Sequence, residues 1–166
     1  VARLVLVGLP GVGKSTVARE VARRWRCRAI DTDDLVAAQV GRPAGTYLRD
    51  EGEAAFRDRE LAALRDALES DAVVATGGGV VTTPEAREAL RAAVTIWLDG
   101  ADDVIVSRLD DVERPLLGAE PATALRELRR GREAWYREVA RSRVDVAGTP
   151  DDVTARVLAA VSQVTT

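Results

Sequence analysis

The stretch "GLPGVGKST", Gly8–Thr16, follows directly on the apolar run "RLVLV" and constrains the fold more tightly than any other part of the chain. Gly8, Gly13, Lys14 and Ser15 stand at the spacing of a phosphate-binding loop, which works only between a strand and a helix. The apolar run supplies the strand. Lys14–Trp25, with Val17, Val21 and Trp25 on one stripe, supplies the helix. Glycines let the backbone curl so that successive N–H groups converge on phosphate oxygens, and the positive end of the helix adds to that field. Gly11, Val12, Gly13 and Thr16 belong to this cradle; Lys14 is expected to bridge the β- and γ-phosphates and Ser15 to offer its hydroxyl to Mg²⁺. A dinucleotide fingerprint is excluded, because Gly8, Gly11 and Gly13 do not make G-x-G-x-x-G. The loop is built for a nucleoside triphosphate.

Short β-branched runs then alternate with longer helical patterns. Arg3–Val7, Arg28–Ile30, Ala72–Thr76, Val94–Leu98 and Arg143–Val146 read as strands, apolar enough for parallel strands covered on both faces. Helices are expected at Lys14–Trp25, Phe56–Leu68, Pro84–Ala92, Leu125–Val139 and about Asp151–Val164, the last capped by Thr149 with Pro150 at its first position. Asp34 is read as a cap for a helix after the second strand. The alternation predicts a single α/β domain, residues 1–166, a three-layer sandwich around a parallel sheet with right-handed crossovers. Residues 41–52 read as a loop-rich insertion, and Asp110–Pro121, with two prolines and a glycine, as a lid.

Many enzyme and sensor classes share such a loop, so composition has to narrow the chemistry. The 166 residues contain no histidine and one cysteine, Cys27, which removes histidine-based triads, histidine or cysteine metal sites and internal disulfides. Catalysis must rest on carboxylates, Lys, Arg, hydroxyls and a metal held by oxygen. A net charge of -3 gives no general attraction to nucleic acid or an anionic membrane. No apolar stretch is long enough to span a bilayer. The opening "ARLVLVG" lacks a basic stretch leading to a cleavage site. A cytoplasmic protein is expected.

The acceptor side follows from strand ends. "AIDTDD" places Asp31 and Asp33 at the end of the second strand, which faces the same crevice as the phosphate loop. One carboxylate can support the Mg²⁺ shell and the other can take a proton from an alcohol. "GEAAFRDRE" carries Arg57 and Glu60; by spacing alone an arginine flanked by acids on a helix reads as a solvated ion-pairing residue. Three glycines, Gly77–Gly79, allow close approach of the backbone to a ligand. "ERPLL" carries Arg114, and "REAWYREVARSRVD" carries Arg132 and Tyr136. Several arginines around one crevice suit an anionic, hydroxyl-bearing acceptor.

Taken together, "GLPGVGKST", "DTD", "GEAAFRDRE", "GGG", "RPLL" and "R-x-x-x-YR-x-VA" resemble the shikimate kinases in order and spacing over nearly the whole chain. The resemblance implies a nucleoside-monophosphate-kinase-like fold with a five-stranded sheet in order 2-3-1-4-5, a substrate-binding insertion at about residues 33–60 and a mobile lid at about 110–121. It implies transfer of the γ-phosphoryl of ATP, with Mg²⁺, to the 3-hydroxyl of shikimate by a monomer. Carried over by position, Lys14 matches the phosphate lysine, Ser15 and Asp31 the metal-binding pair, and Asp33 the acid that binds the acceptor and serves as base. Arg57 and Arg132 match the carboxylate-binding arginines, Gly78 the backbone donor, Arg114 the lid arginine at the triphosphate, and Arg108 a residue against the adenine. Ala37 replaces an acid common in the family, the stretch from Asp102 to Arg114 is about one residue shorter, and Ala147–Pro150 lacks a basic residue found in some members. Two other readings are another small-molecule kinase, such as a gluconate kinase, and a catalytically silent ATP-binding module.

Overall fold

The computed structural model describes residues 1–109 and 117–165. Arg114 and most of the expected lid lie outside the described residues. Five parallel strands form one sheet: β1 (Leu4–Val7), β2 (Arg28–Asp31), β3 (Ala72–Ala75), β4 (Thr95–Asp99) and β5 (Ser142–Asp145). Their order, β2-β3-β1-β4-β5, is the expected one. Eight α-helices among the described residues surround it: α1 (Lys14–Trp25), α2 (Thr32–Val40), α3 (Ala44–Glu51), α4 (Glu53–Glu69), α5 (Pro84–Ala92), α6 (Asp102–Ser107), α7 (Pro121–Val139) and α8 (Pro150–Val164).

Strand order and handedness decide which face each helix covers. Right-handed crossovers carry the chain from β1 over β3 to β2, then back through β3, β4 and β5. That reversal sends α1 to one face, where α8 joins it, and α4, α5 and α7 to the other. The connection after β1 therefore leaves towards one face, while those after its neighbours β3 and β4 leave towards the other. A crevice opens at the carboxyl ends of these strands.

The three central strands are fully buried, as the unbroken Val, Leu and Ala content of β1 and β3 requires; β4 also buries Thr95 and Asp99 at its ends, Thr95 donating to the Leu90 carbonyl. The outer strands β2 and β5 depart from that expectation. Arg28 and Arg143 are exposed, because an edge strand is covered less completely and its polar positions turn to water.

Residues 41–52 are not a loop. They hold α3, set off by Pro43 before it and ended by Gly52 at φ +89°. No residue of α3 is fully buried, so it carries no core stripe from which periodicity could reveal it. Tertiary contact makes it a helix: Tyr47 and Leu48 pack with Val40 on a small cluster of Val36, Phe56 and Ala63. Arg42 pairs with both Asp50 and Glu51 across the turn. The α2 cap is also Asp31 rather than Asp34. Its Oδ1 accepts from the Asp33 N–H at 2.9 Å, which satisfies one of the orphan donors of the first turn. The α8 cap stands as expected, with Thr149 and Asp152 bonding reciprocally.

One ion-pair cluster anchors α7. Asp99, at the end of β4 and only 3% exposed, accepts from Arg129 at 2.7 Å and from Arg143 at 2.9 Å. Arg129 also donates to Asp102 of α6 and to the Gly100 carbonyl. A buried carboxylate with two guanidinium partners is satisfied; with both removed it would be an uncompensated buried charge. Arg129 thus fastens α7 to α6 and β4 just ahead of Arg132.

Candidate active site

The crevice has a volume of about 860 Å³. The phosphate loop, Gly11–Thr16, forms one wall, and Asp31, Asp33, Arg57, Gly78, Arg108 and Arg132 line the rest. Every expected site residue that is described therefore opens onto one space.

Gly8 at φ +150° and Gly13 at φ +90° adopt conformations that side chains disfavour. At Gly8 a Cβ would also collide with the Leu98 carbonyl, a backbone atom that cannot step aside. Lys14 is largely buried and its Nζ donates to the carbonyls of Gly8 at 2.8 Å and Leu9 at 2.9 Å. The ammonium is held inside its own loop, aimed along the mouth where phosphate oxygens would compete for it. Ser15 Oγ donates to Asp31 Oδ2. Asp31 thus serves twice, gripping the α2 terminus with one oxygen and Ser15 with the other.

The acceptor side is more deeply buried than its sequence suggested. Arg57 is not a solvated residue: its side chain is 15% exposed and donates to Glu60 at 2.6 Å, while Glu53 offers a longer contact at 3.3 Å. Glu60 is 2% exposed. Arg57 Nε and Glu60 Oε1 find no hydrogen-bond partner among the described residues. Two unspent polar atoms at a buried position mark where a ligand or water belongs.

Asp33 lies beside this pair. Burial, followed by the charges of Asp31 and Glu60, pushes its carboxyl up to about 6 against the opposing pull of Lys14 and Arg57. Burial likewise raises Glu60, and the Arg57 guanidinium opposes that rise. A carboxylate near 6 is still ionised at neutral pH yet far more basic than an exposed one.

The three glycines have a concrete cause. A Cβ at Gly77 would lie 2.6 Å from Glu60 Oε1 and 2.9 Å from Asp33 Oδ1. One at Gly78 would lie 2.9 Å from Pro10 Cδ, and one at Gly79 would strike the Arg57 guanidinium. The approach these glycines allow is by the protein's own site residues. At Gly79 the obstacle is the end of a flexible side chain, so Gly79→Ala should displace Arg57 more than it strains the fold. Thermal melting should then shift by only a few degrees, on the order of 1 kcal/mol for a domain of this size, while binding at the Arg57 side weakens. A large loss of melting temperature with binding retained would contradict that reading.

Arg108 lines the crevice and donates to the Gly148 carbonyl at 2.7 Å. The loop around Gly148, which lacks a basic residue of its own, is braced from behind by Arg156, bonded to the carbonyls of Asp145 and Ala147.

A family model for shikimate kinase matches residues 10–162. The chain belongs to the shikimate kinase family. Shikimate kinases of Streptomyces avermitilis and Corynebacterium glutamicum are 41% and 38% identical to it, covering 97% and 93% of this chain and 96% and 94% of theirs. Among solved structures it resembles shikimate kinase from Acinetobacter baumannii in complex with shikimate, with a TM-score of 0.90 and 32% identity over 96% of this chain and 92% of the other. A gluconokinase from Sinorhizobium meliloti, at 19% identity and a TM-score of 0.61, shares the fold alone. As a member of this family the chain is a kinase, and no helix among its described residues is long and apolar enough to cross a membrane.

Each motif that falls within the described residues contributes a residue to this one crevice. Glu60 is the functional candidate that spacing understated. Its signal was the run of Phe56, Glu60, Ala63 and Ala67 down the buried face of α4, where a carboxylate breaks an otherwise apolar stripe.

Proposed function

We propose that the chain transfers the γ-phosphoryl group of ATP to the 3-hydroxyl of shikimate, giving shikimate 3-phosphate and ADP, as a monomer acting in the cytoplasm. The observation that carries this reading is that Asp33, raised to about 6, opens onto the same crevice as the lysine and serine of the phosphate loop. Asp33 Oδ accepts the proton of the acceptor hydroxyl. The hydroxyl oxygen attacks the γ-phosphorus while the bond to the β–γ bridging oxygen breaks, and ADP carries off that electron pair.

Arg57 and Arg132 hold the acceptor carboxylate, for which the guanidinium fork offers two parallel bonds, and Gly78 presents its backbone N–H. Loop N–H groups from Gly11 to Thr16 and Lys14 hold the triphosphate, which displaces the Gly8 and Leu9 carbonyls from the ammonium. Ser15 and Asp31, joined by a hydrogen bond, offer only hard oxygen donors, which suits Mg²⁺. Bound there with the phosphates, Mg²⁺ would offset the charge of the transferring group. Arg108 lies where it can flank the adenine. Arg114 is assigned to the transferring phosphoryl on its sequence motif alone, and Arg114→Ala should lower kcat far more than it weakens shikimate binding.

ADP release measured with shikimate, with gluconate and with no acceptor tests the reading directly. Turnover on shikimate alone supports it. Equal turnover on gluconate would make this a kinase of broader range, and ADP release independent of any acceptor would remove the acceptor assignment.

A further inference from the structure

Tyr136 was part of the family motif, but the reaction as described gives it no task. It sits on α7 one helical turn after Arg132, is 1% exposed, and stacks on Trp97 with ring centroids 5.9 Å apart. Phenylalanine would fill that apolar place equally well. The hydroxyl instead donates to the Gly78 carbonyl in the substrate loop.

Gly78 and Gly79 flank a single peptide, and a peptide between two glycines has little intrinsic preference for its orientation. It is trans, so fixing the Gly78 carbonyl towards α7 turns the Gly79 N–H to the opposite side. Both neighbours of that peptide are site residues: Pro10 of the phosphate loop abuts Gly78, and the Arg57 guanidinium abuts Gly79.

We propose that Tyr136 is a positioning residue, whose hydroxyl sets the plane of the Gly78–Gly79 peptide and couples it to the helix that carries Arg132. The inference rests on the reading that Gly78 and Arg132 hold the acceptor. Two facts support it beyond the geometry. Burial pushes the phenol up to about 12 against the lowering pull of the nearby Arg132 guanidinium, so it remains a donor throughout the working range. The ring, wedged against Trp97, cannot swing away.

Three variants of the full chain separate the possibilities: Tyr136→Phe, Arg132→Lys and Trp97→Phe. Steady-state kinetics and thermal melts are measured for each. Tyr136→Phe keeps the stacked ring and removes the hydrogen bond that orients the glycine loop beside the Gly78 N–H, so the shikimate KM should rise about tenfold while kcat and the ATP KM stay within about twofold. Trp97→Phe loosens the stack yet keeps the hydroxyl, and should lower the melting temperature without raising the shikimate KM. A shikimate KM unchanged in Tyr136→Phe but raised in Arg132→Lys overturns the role of Tyr136 and leaves the acceptor site standing. An unchanged KM in Arg132→Lys overturns the acceptor assignment itself and the inference with it. If Trp97→Phe raises the shikimate KM as much as Tyr136→Phe does, the tyrosine is a packing residue and the proposal fails.

Discussion

Asp33→Asn should lower kcat by about 10²–10⁴, the usual consequence of losing a general base, while making the folded protein more stable at neutral pH. The two effects share one cause. Burial and the neighbouring carboxylates raise Asp33 from 3.8 to about 6, so the native state binds a proton that the unfolded chain has already released. Relative to a side chain that does not titrate, stability is intact below 3.8, falls as the pH rises, and is fully lost just above about 6. A shift of about two units corresponds to roughly 3 kcal/mol as an upper figure. Asparagine keeps the shape and abolishes the titration, so its denaturation midpoint should exceed the parent's at pH 7 and match it near pH 4. In the parent, kcat/KM for shikimate should climb through about pH 6 and level off. An Asn variant that turns over within about threefold of the parent would remove Asp33 from the chemistry. One that gains no stability at pH 7 would show that the carboxylate is not held in the buried state described.

The second large effect is at Arg57. Arg57→Ala removes the guanidinium that faces Glu60 at 2.6 Å and leaves a carboxylate 2% exposed without its counter-charge. Breaking a buried pair from one side typically costs about 3–5 kcal/mol, softened here to the extent that Glu60 takes up a proton. Shikimate binding should fall at the same time, because the unpartnered Arg57 Nε is lost with the rest of the fork. The double variant Arg57→Ala/Glu60→Gln separates the two losses. It removes the orphaned charge and should recover most of the stability while the shikimate KM stays high. Arg57→Lys keeps the charge without the bidentate geometry and should fall between. If the double variant recovers substrate affinity together with stability, Arg57 serves only to neutralise Glu60.

Elements buried on both faces were legible from the chain. β1 and β3 announce themselves as unbroken apolar runs, β4 as an apolar centre between Thr95 and Asp99, and the glycine loop fixes both the strand before it and the helix after it. What escaped was structure made by contact. Residues 44–51 carry no stripe of their own and become α3 only against α2 and α4. Glu60 reads like any charged helix residue until α4 docks, because burial belongs to a face and not to a residue type. Asp34 reads from the chain as the cap of α2, yet Asp31 takes that place while its other oxygen meets Ser15, a pairing made across two elements. Function was more legible than local structure here, since the groups that do chemistry keep strict spacing while those that support them do not.

Arg129 has a consequence for how this enzyme tolerates change in length. Its bonds to Asp99, Asp102 and the Gly100 carbonyl join α6 and α7 on either side of residues 110–116. Leu109 and Leu117, the residues that bracket that stretch, are both buried. The ends of the stretch are therefore fixed independently of what runs between them. Arg132 lies beyond that clamp, so its place on α7 is set by these bonds. The acceptor pocket is thereby insulated from changes of length between Leu109 and Leu117, while the role proposed for Arg114 ties the sequence of that stretch to phosphoryl transfer.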